Sequence, residues 1–184
     1  MNQRTLLDRV IDTQRLQLRS YRFSDASRMH AYLQEPDQNN YLEGAATTLS
    51  EAQVEAIIAR HILANPEQRN VWAITIDDQP MGAVSINFEK ESRIAEIGYH
   101  ISKRLWGRGY ASEAVAAVVH TAFGNLPQLQ RIQASIHPEN QASIRVAERV
   151  GMQYEGTLRS YAFVNGEPAD EAIYAVLRGS QSAG

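Results

Sequence analysis

Two glycines one residue apart, Gly107 and Gly109 with Arg108 between them, stand in the stretch RLWGRGYASEA at residues 104–114. Upstream, RIAEIGYHIS (93–102) alternates Ile94, Glu96 and Gly98 against Ala95, Ile97 and Tyr99, the period of a strand. Downstream, ASEAVAAVVHTAFGN (111–125) puts Val115, Val118, Val119, Ala122 and Phe123 on one wide apolar face, the period of a well-buried helix. Glycine weakens regular elements, so a close pair between a strand and a helix marks a backbone with a special task. A helix N-terminus presents unpaired N–H groups and the positive end of the helix dipole, and glycines let the backbone approach a phosphate closely. The junction is therefore an anion-binding arrangement. It is not a Walker A loop, which needs Lys-Ser/Thr after its second glycine. Nor is it a complete dinucleotide fingerprint: Ser112 stands where the third glycine falls, and an antiparallel meander precedes the loop rather than a βαβ unit.

The other periodic segments give the surroundings. TQRLQLRSY (13–21) alternates as a half-buried strand, and Ser24 opens a helix with Met29, Tyr32 and Leu33 at helical spacing. Residues 35–44 are rich in breakers and read as a loop. Residues 48–65 form a second helix with Ser50 and Gln53 as a capping box and Val54, Ile57, Ile58 and Ile62 as its stripe. A hairpin follows, 71–77 and 81–89 around the turn DQP, with 93–102 as the third strand of the meander. After the glycine loop and its helix, 131–138 is a strand. Residues 139–152 are a helix with Asn140 as N-cap and Gly151 as its stop, and 152–179 splits into two strands around Asn165-Gly166. The order β-α-α-β-β-β-α-β-α-β-β is an α+β layout with a mixed sheet. No repeat or linker divides it, so residues 1–184 read as a single domain with a core of about 13–178 and a frayed tail.

Composition narrows the function. The 184 residues are 43% hydrophobic and 21% charged, with a net charge of −3, which points away from nucleic acid and toward small molecules or cationic partners. There is no cysteine, which excludes disulfides, a thiolate metal site and a catalytic thiol. The five histidines show no metal-ligand spacing, so no metal is expected. No apolar run approaches the roughly 20 residues of a membrane span, and the first residues lack a signal-peptide core. The expected location is the cytoplasm, with no membrane partner. The sequence shows no marked interface, so a monomer or weak homodimer is expected.

EIGYHISKRLWGRGYASEAV followed by HPENQASIRVAERVGMQYEGTLR resembles the Gcn5-related N-acetyltransferase (GNAT) superfamily. It is most similar to the branch of bacterial ribosomal-protein N-terminal acetyltransferases, the RimJ/RimL type. The resemblance runs from TQRLQLR to EAIYAVLR. Of two registers for the family's pyrophosphate loop, Trp106-x-x-Gly109-x-Ala111 places Ala111 in the first helical turn, with Trp106 in place of the usual Gln or Arg. The alternative, Arg104-x-x-Gly107-x-Gly109, places the helix two residues too early. The resemblance implies a mixed, mostly antiparallel sheet of about seven strands flanked by four helices and splayed between the fourth and fifth. It implies acetyl-CoA as co-substrate and an amine as acceptor, without a covalent enzyme intermediate. The amine classes it leaves open are a protein N-terminus and a small polyamine or aminoglycoside-like molecule. A non-catalytic acyl-CoA-binding module and a nucleotide-phosphate binder of another fold are the rivals.

The resemblance also assigns residues. Main-chain N–H groups of Gly107, Arg108, Gly109, Tyr110 and Ala111 are expected to hold the pyrophosphate, with the Arg108 charge beside it. Tyr99, His100 and Ile101 are expected to pair with the pantetheine arm, an N–H near Ile101 to meet the oxyanion, and Asn140 and Ser143 to face the sulfur. Glu96, ten residues before Trp106, stands close to where family members carry a general-base glutamate. Glu113 and Glu35 are weaker candidates, Glu113 being placed to stabilise its helix start. Read without the resemblance, Asn140 is a helix cap, Ser143 a first-turn polar residue and Glu96 a strand residue that faces solvent or pairs with Arg93 or another neighbour. The family's thiolate-protonating tyrosine is absent, because position 147 is Ala; Ser143, water, Tyr99 or Tyr154 must act, or the thiolate leaves unaided. Glu35, Asp37 and Glu43 would suit a cationic acceptor, or form a solvated loop.

Overall fold

The computed structural model describes residues 10–35, 49–89, 91, 93–164 and 166–182. Its strands are β1 (Ile11–Asp12), β2 (Gln17–Arg19), β3 (Arg69–Ile76), β4 (Gln79–Glu89), β5 (Ile94–Ile101), β6 (Arg131–Ile136), β7 (Gln153–Val164) and β8 (Glu167–Leu177). The helices are α1 (Ala26–Leu33), α2 (Glu51–Ile62), α3 (Tyr110–Asn125) and α4 (Gln141–Arg149). All eight strands form one sheet in the order β1-β2-β3-β4-β5-β6-β8-β7, antiparallel except for the β5–β6 pair. The expected α+β class is met with eight strands rather than about seven. The predicted first strand is broken because Thr13 closes a turn on Leu16, its N–H donating to the Leu16 carbonyl at 2.9 Å and its hydroxyl accepting from the Leu16 N–H at 2.9 Å.

Strand alternation sends successive side chains to opposite faces, and here both faces are covered. Trp72 and Ile74 of β3, Val84 and Ile86 of β4, and Ala95 and Ile97 of β5 pack with Val115, Val118 and Val119 of α3. The intervening Val71, Ala73 and Ala83 pack with Met29 of α1 and Val54 and Ile58 of α2. This double burial is why 71–76 reads as an almost continuous apolar run. The capping box of α2 is formed as expected: Ser50 accepts from the Gln53 N–H at 3.3 Å, and the Gln53 side chain accepts from the Ser50 N–H at 2.8 Å. The helix ends at Ile62, which is 40% exposed and so drops out of the predicted stripe. The first hairpin turns at Asp77 and Asp78, both at positive φ, one residue earlier than DQP. Asp37, Glu43 and Asn165 lie outside the described residues.

The feature that makes a site is a short pairing. β5 and β6 pair only from Ile94, Ala95 and Glu96 to Arg131, Ile132 and Gln133. Beyond that point β5 stays with β4 as far as Ile101, and β6 stays with β8 as far as Ile136. The strands diverge where the sequence reading places the splay.

Candidate functional site

A cleft of about 520 Å³ opens at this divergence. Ser102 N–H donates to the Met81 carbonyl at 2.7 Å, which sets the hydrogen-bonding phase of β5. In an antiparallel pair alternate residues exchange both bonds, so His100 and Gly98 direct their main chain to β4, while Ile97, Tyr99 and Ile101 direct theirs to the splay. Side chains hold this strand end from both sides. Tyr99 donates its hydroxyl to the Ser143 carbonyl on α4 at 2.7 Å, and burial pushes its pKa well up, making it a poor acid. Trp106 donates its indole N–H back to the Ile101 carbonyl at 2.9 Å.

The glycine loop fills the end of the cleft. Gly107 and Gly109 adopt left-handed φ values of 74° and 79°, which side-chain-bearing residues avoid, and α3 begins at Tyr110. The first intrahelical bond is from Glu113 N–H to the Gly109 carbonyl, so the amides of Tyr110, Ala111 and Ser112 have no helical acceptor. All three residues border the cleft. A residue the sequence did not mark holds the loop from behind. Arg15 grips the Glu113 carboxylate at 2.6–2.7 Å, donates to the Arg108 carbonyl at 3.0 Å, and lies 4.2 Å over the Tyr110 ring. Thr13 adds a 2.6 Å bond to Glu113. Partial burial alone would raise the Glu113 carboxyl, but the bonds from Thr13 and Arg15 outweigh it and hold it below its ordinary value. Glu113 thus braces the helix start.

The facing wall comes from β6, α4 and the β7–β8 hairpin. Asn140 caps α4, its side-chain oxygen accepting from Ser143 N–H at 3.1 Å. Tyr99, His100, Ile101, Trp106, Gly107, Gly109, Tyr110, Ala111, Asn140 and Ser143 all border the one cleft. Two predicted residues do not. Arg108 is exposed at the loop apex. Glu96 occupies the last position of the β5–β6 pairing, across from Asn87 and Gln133. It shares the sheet face of Gly98 and His100, at the closed end. Arg145, Arg149 and Asp170 also border the cleft and were not foreseen. Arg145 and Arg149 were legible, following Gln141 at four-residue spacing on one helix face. Ala147 is fully buried and off the cleft, and Tyr154 is 56% exposed and bonded to Thr157.

On the α1 side of β5, polar groups are tightly paired. Buried Ser102 donates to Glu35 at 3.0 Å, and Arg104 pairs with the same carboxylate at 2.7 Å. Glu35 is therefore already engaged inside the chain. Tyr32 contacts His100 Nε2 at 3.2 Å, and the His61 ring lies 5.4 Å from that of Tyr21. Burial lowers both His61 and His100 to about 4, Arg69 adding to the effect at His61. The unfolded chain takes up these two protons near pH 6.5 and the folded one only near 4. Stability is therefore expected to fall as pH drops from 6.5 to 4, by on the order of 3 kcal/mol for each histidine, and this histidine contribution levels off below. Urea melts across that window check this; His61→Phe should flatten the slope, and an equally steep slope in that variant would contradict it.

Residues 15–153 match the acetyltransferase (GNAT) domain family. The chain belongs to that family. An uncharacterized N-acetyltransferase p20 of Bacillus licheniformis is 32% identical over 170 residues, spanning 90% of this chain and 94% of that one. The ribosomal-protein-serine acetyltransferase of Escherichia coli K12 is 32% identical over 112 residues, 60% of this chain and 62% of that one. The solved structure of Mycobacterium smegmatis RimJ in complex with CoA-disulfide superposes with a TM-score of 0.78 at 27% identity, covering 88% of this chain and 81% of that one. This GNAT chain is an N-acetyltransferase of RimJ/RimL-like type.

In a GNAT enzyme of this shape the cleft has two distinct ends. The α3 N-terminus offers main-chain donors to an anion, and β5 offers an outward main-chain edge along which an extended amide-bearing ligand can lie. Among the described residues no three His, Asp or Glu side chains converge to hold a metal ion, and no helix is long and apolar enough to cross a membrane.

Proposed function

We propose that this chain transfers the acetyl group of acetyl-CoA directly to a primary amine, the N-terminal amine of a ribosomal or other protein. The observation that carries the reading is the cleft itself, with the glycine-built start of α3 at one end and the stretch of β5 beyond its pairing with β6 along its side. Gly107 has nothing within 4 Å of where a Cβ would stand, an open cradle suited to a pyrophosphate. Amides from Gly107 to Ala111 would hold that group, Arg108 adding charge from the loop apex. The main chain of Tyr99–Ile101 would pair with the pantetheine arm, Asn140 and Ser143 flanking the sulfur. The Ile101 N–H, on the splay side by register, would meet the oxyanion. The amine adds to the thioester carbonyl, whose π electrons move onto the oxygen; the carbonyl re-forms as the carbon–sulfur bond breaks, and the amine proton passes through water to Glu96. Gly98 lies exposed between Glu96 and His100 and has no side chain to block that route. The thiolate leaves with the Ser143 hydroxyl nearby or unaided, since thiol pKa values are about 8.5.

The protein acceptor is supported by the name of the Escherichia coli relative. An acceptor panel read by mass decides it: peptides with free N-termini, polyamines and aminoglycosides, each with acetyl-CoA. Acetylated peptide termini are the expected result. Acetylation of small amines alone would overturn the protein acceptor, and no acetylation beside unchanged thiol release would overturn the reaction. The same reading has the enzyme act in the cytoplasm as a monomer or weak homodimer, and light scattering tests the assembly.

A further inference from the structure

We propose that His100 docks the acceptor, accepting a hydrogen bond from the attacking amine on the α1 side of the cleft; the assignment rests on the N-acetyltransferase reading above. His100 borders the cleft, and its side chain turns to the face opposite Tyr99, as its contact with Tyr32 of α1 shows. Gly98 and Glu96 follow on the same face. An amine seated over Gly98 would lie between His100 and the general-base candidate, which stand four residues apart on one strand, about 13 Å.

Hydrogen-bond accounting fixes the tautomer. Tyr21 has one hydroxyl proton and donates it to the Gly82 carbonyl at 3.2 Å. Tyr21 and Tyr32 are also bonded to each other, so that bond uses the Tyr32 proton. The Tyr32 oxygen must then accept from His100, whose Nε2 is 3.2 Å away and therefore carries the N–H. A neutral imidazole protonated at Nε2 keeps its lone pair on Nδ1. The chain His100, Tyr32, Tyr21, Gly82 carbonyl is a one-way string that leaves the acceptor nitrogen on a residue bordering the cleft. Tyr32 of α1, Tyr21 before α1 and the neutral His61 of α2 surround it; the charges near these residues are the Arg19–Asp25 pair beside the tyrosines, Arg60 and Arg69 beside His61, and the Glu35–Arg104 pair at the end of α1. Burial likewise keeps His100 neutral at physiological pH, so it accepts from the amine instead of repelling its cationic form.

Steady-state kinetics with two probes, a short peptide bearing a free N-terminal serine and a polyamine, test this beside acetyl-CoA titrations. His100→Leu should raise the amine KM by about three- to tenfold, the weight of one neutral hydrogen bond, with acetyl-CoA affinity unchanged within about twofold. His100→Asn puts an amide oxygen near the Nδ1 position and should recover most of the loss. Tyr32→Phe releases the tautomer and should raise the amine KM severalfold without moving acetyl-CoA affinity. Parent amine KM in a folded His100→Leu variant would overturn the proposal; if that variant does not fold, parent KM in Tyr32→Phe overturns it. Wild-type protein that acetylates neither probe nor any panel amine would instead overturn the enzymatic reading on which it rests.

Discussion

Gly109→Val is expected to abolish most of the thermal stabilisation that acetyl-CoA gives the parent chain. A ligand that binds only the folded state stabilises it by about 2.7 kcal/mol at a hundred times its Kd, a rise in Tm of roughly 5–10 °C for a chain of this size. Gly109 caps α3 at φ 79°, where a β-branched residue is excluded by its own backbone. Space is not the obstacle, because a Cβ there would meet only Arg15 Nη2 at an ordinary 3.6 Å. Relief of the strain must rotate the peptide units on either side, and those units carry the amides aimed at the cleft. The variant's own Tm should fall as well, so the quantity to read is the ligand-induced shift. Gly124→Ala, inside the same helix with nothing near its Cβ, is the control. It should melt no lower than the parent and keep the full shift. An undiminished shift in Gly109→Val would place the phosphates elsewhere.

The ends of elements were legible because they are written locally. Asn140 three residues before Ser143, Ser50 three before Gln53 and Gly109 just before an apolar helical face each specify a backbone geometry within one turn. The Trp106-x-x-Gly109-x-Ala111 register needs Ala111 in the first helical turn, and α3 begins at Tyr110. What stayed hidden is what long loops bring together. Thr13 and Arg15 reach Glu113 across 100 and 98 residues, and no periodicity marks Arg15 as a brace for a loop in the second half of the chain. Glu35 reads from sequence as a loop acid waiting for a cation; only the fold shows Ser102 and Arg104 closing on it. The string from His100 to Gly82 likewise joins α1, β4, β5 and the segment before α1, four places no local rule connects. The splay was available only through the resemblance, since residue patterning does not say where two paired strands part.

Glu96→Gln is expected to cut turnover near neutral pH by about 10²–10⁴-fold, the usual weight of general-base catalysis. The substitution keeps size and polar character opposite Asn87 and Gln133, so the β4–β5–β6 ladder has no reason to shift and acetyl-CoA affinity should hardly change. The effect belongs to proton transfer, which gives it a pH signature. A protein N-terminal amine has a pKa near 7.7–8.0 and is mostly protonated below that range, where a carboxylate acceptor matters most. Above it solvent already supplies neutral amine, and the deficit should shrink. Ser143→Ala should cost less, about tenfold at most, because a thiolate is a tolerable leaving group at these pH values. The two variants therefore separate the ends of the reaction: one loses rate in a pH-dependent way at the amine, the other modestly at the sulfur. Turnover at the parent rate across the whole range in Glu96→Gln would remove Glu96 from the chemistry. The proton would then leave through water or through another carboxylate.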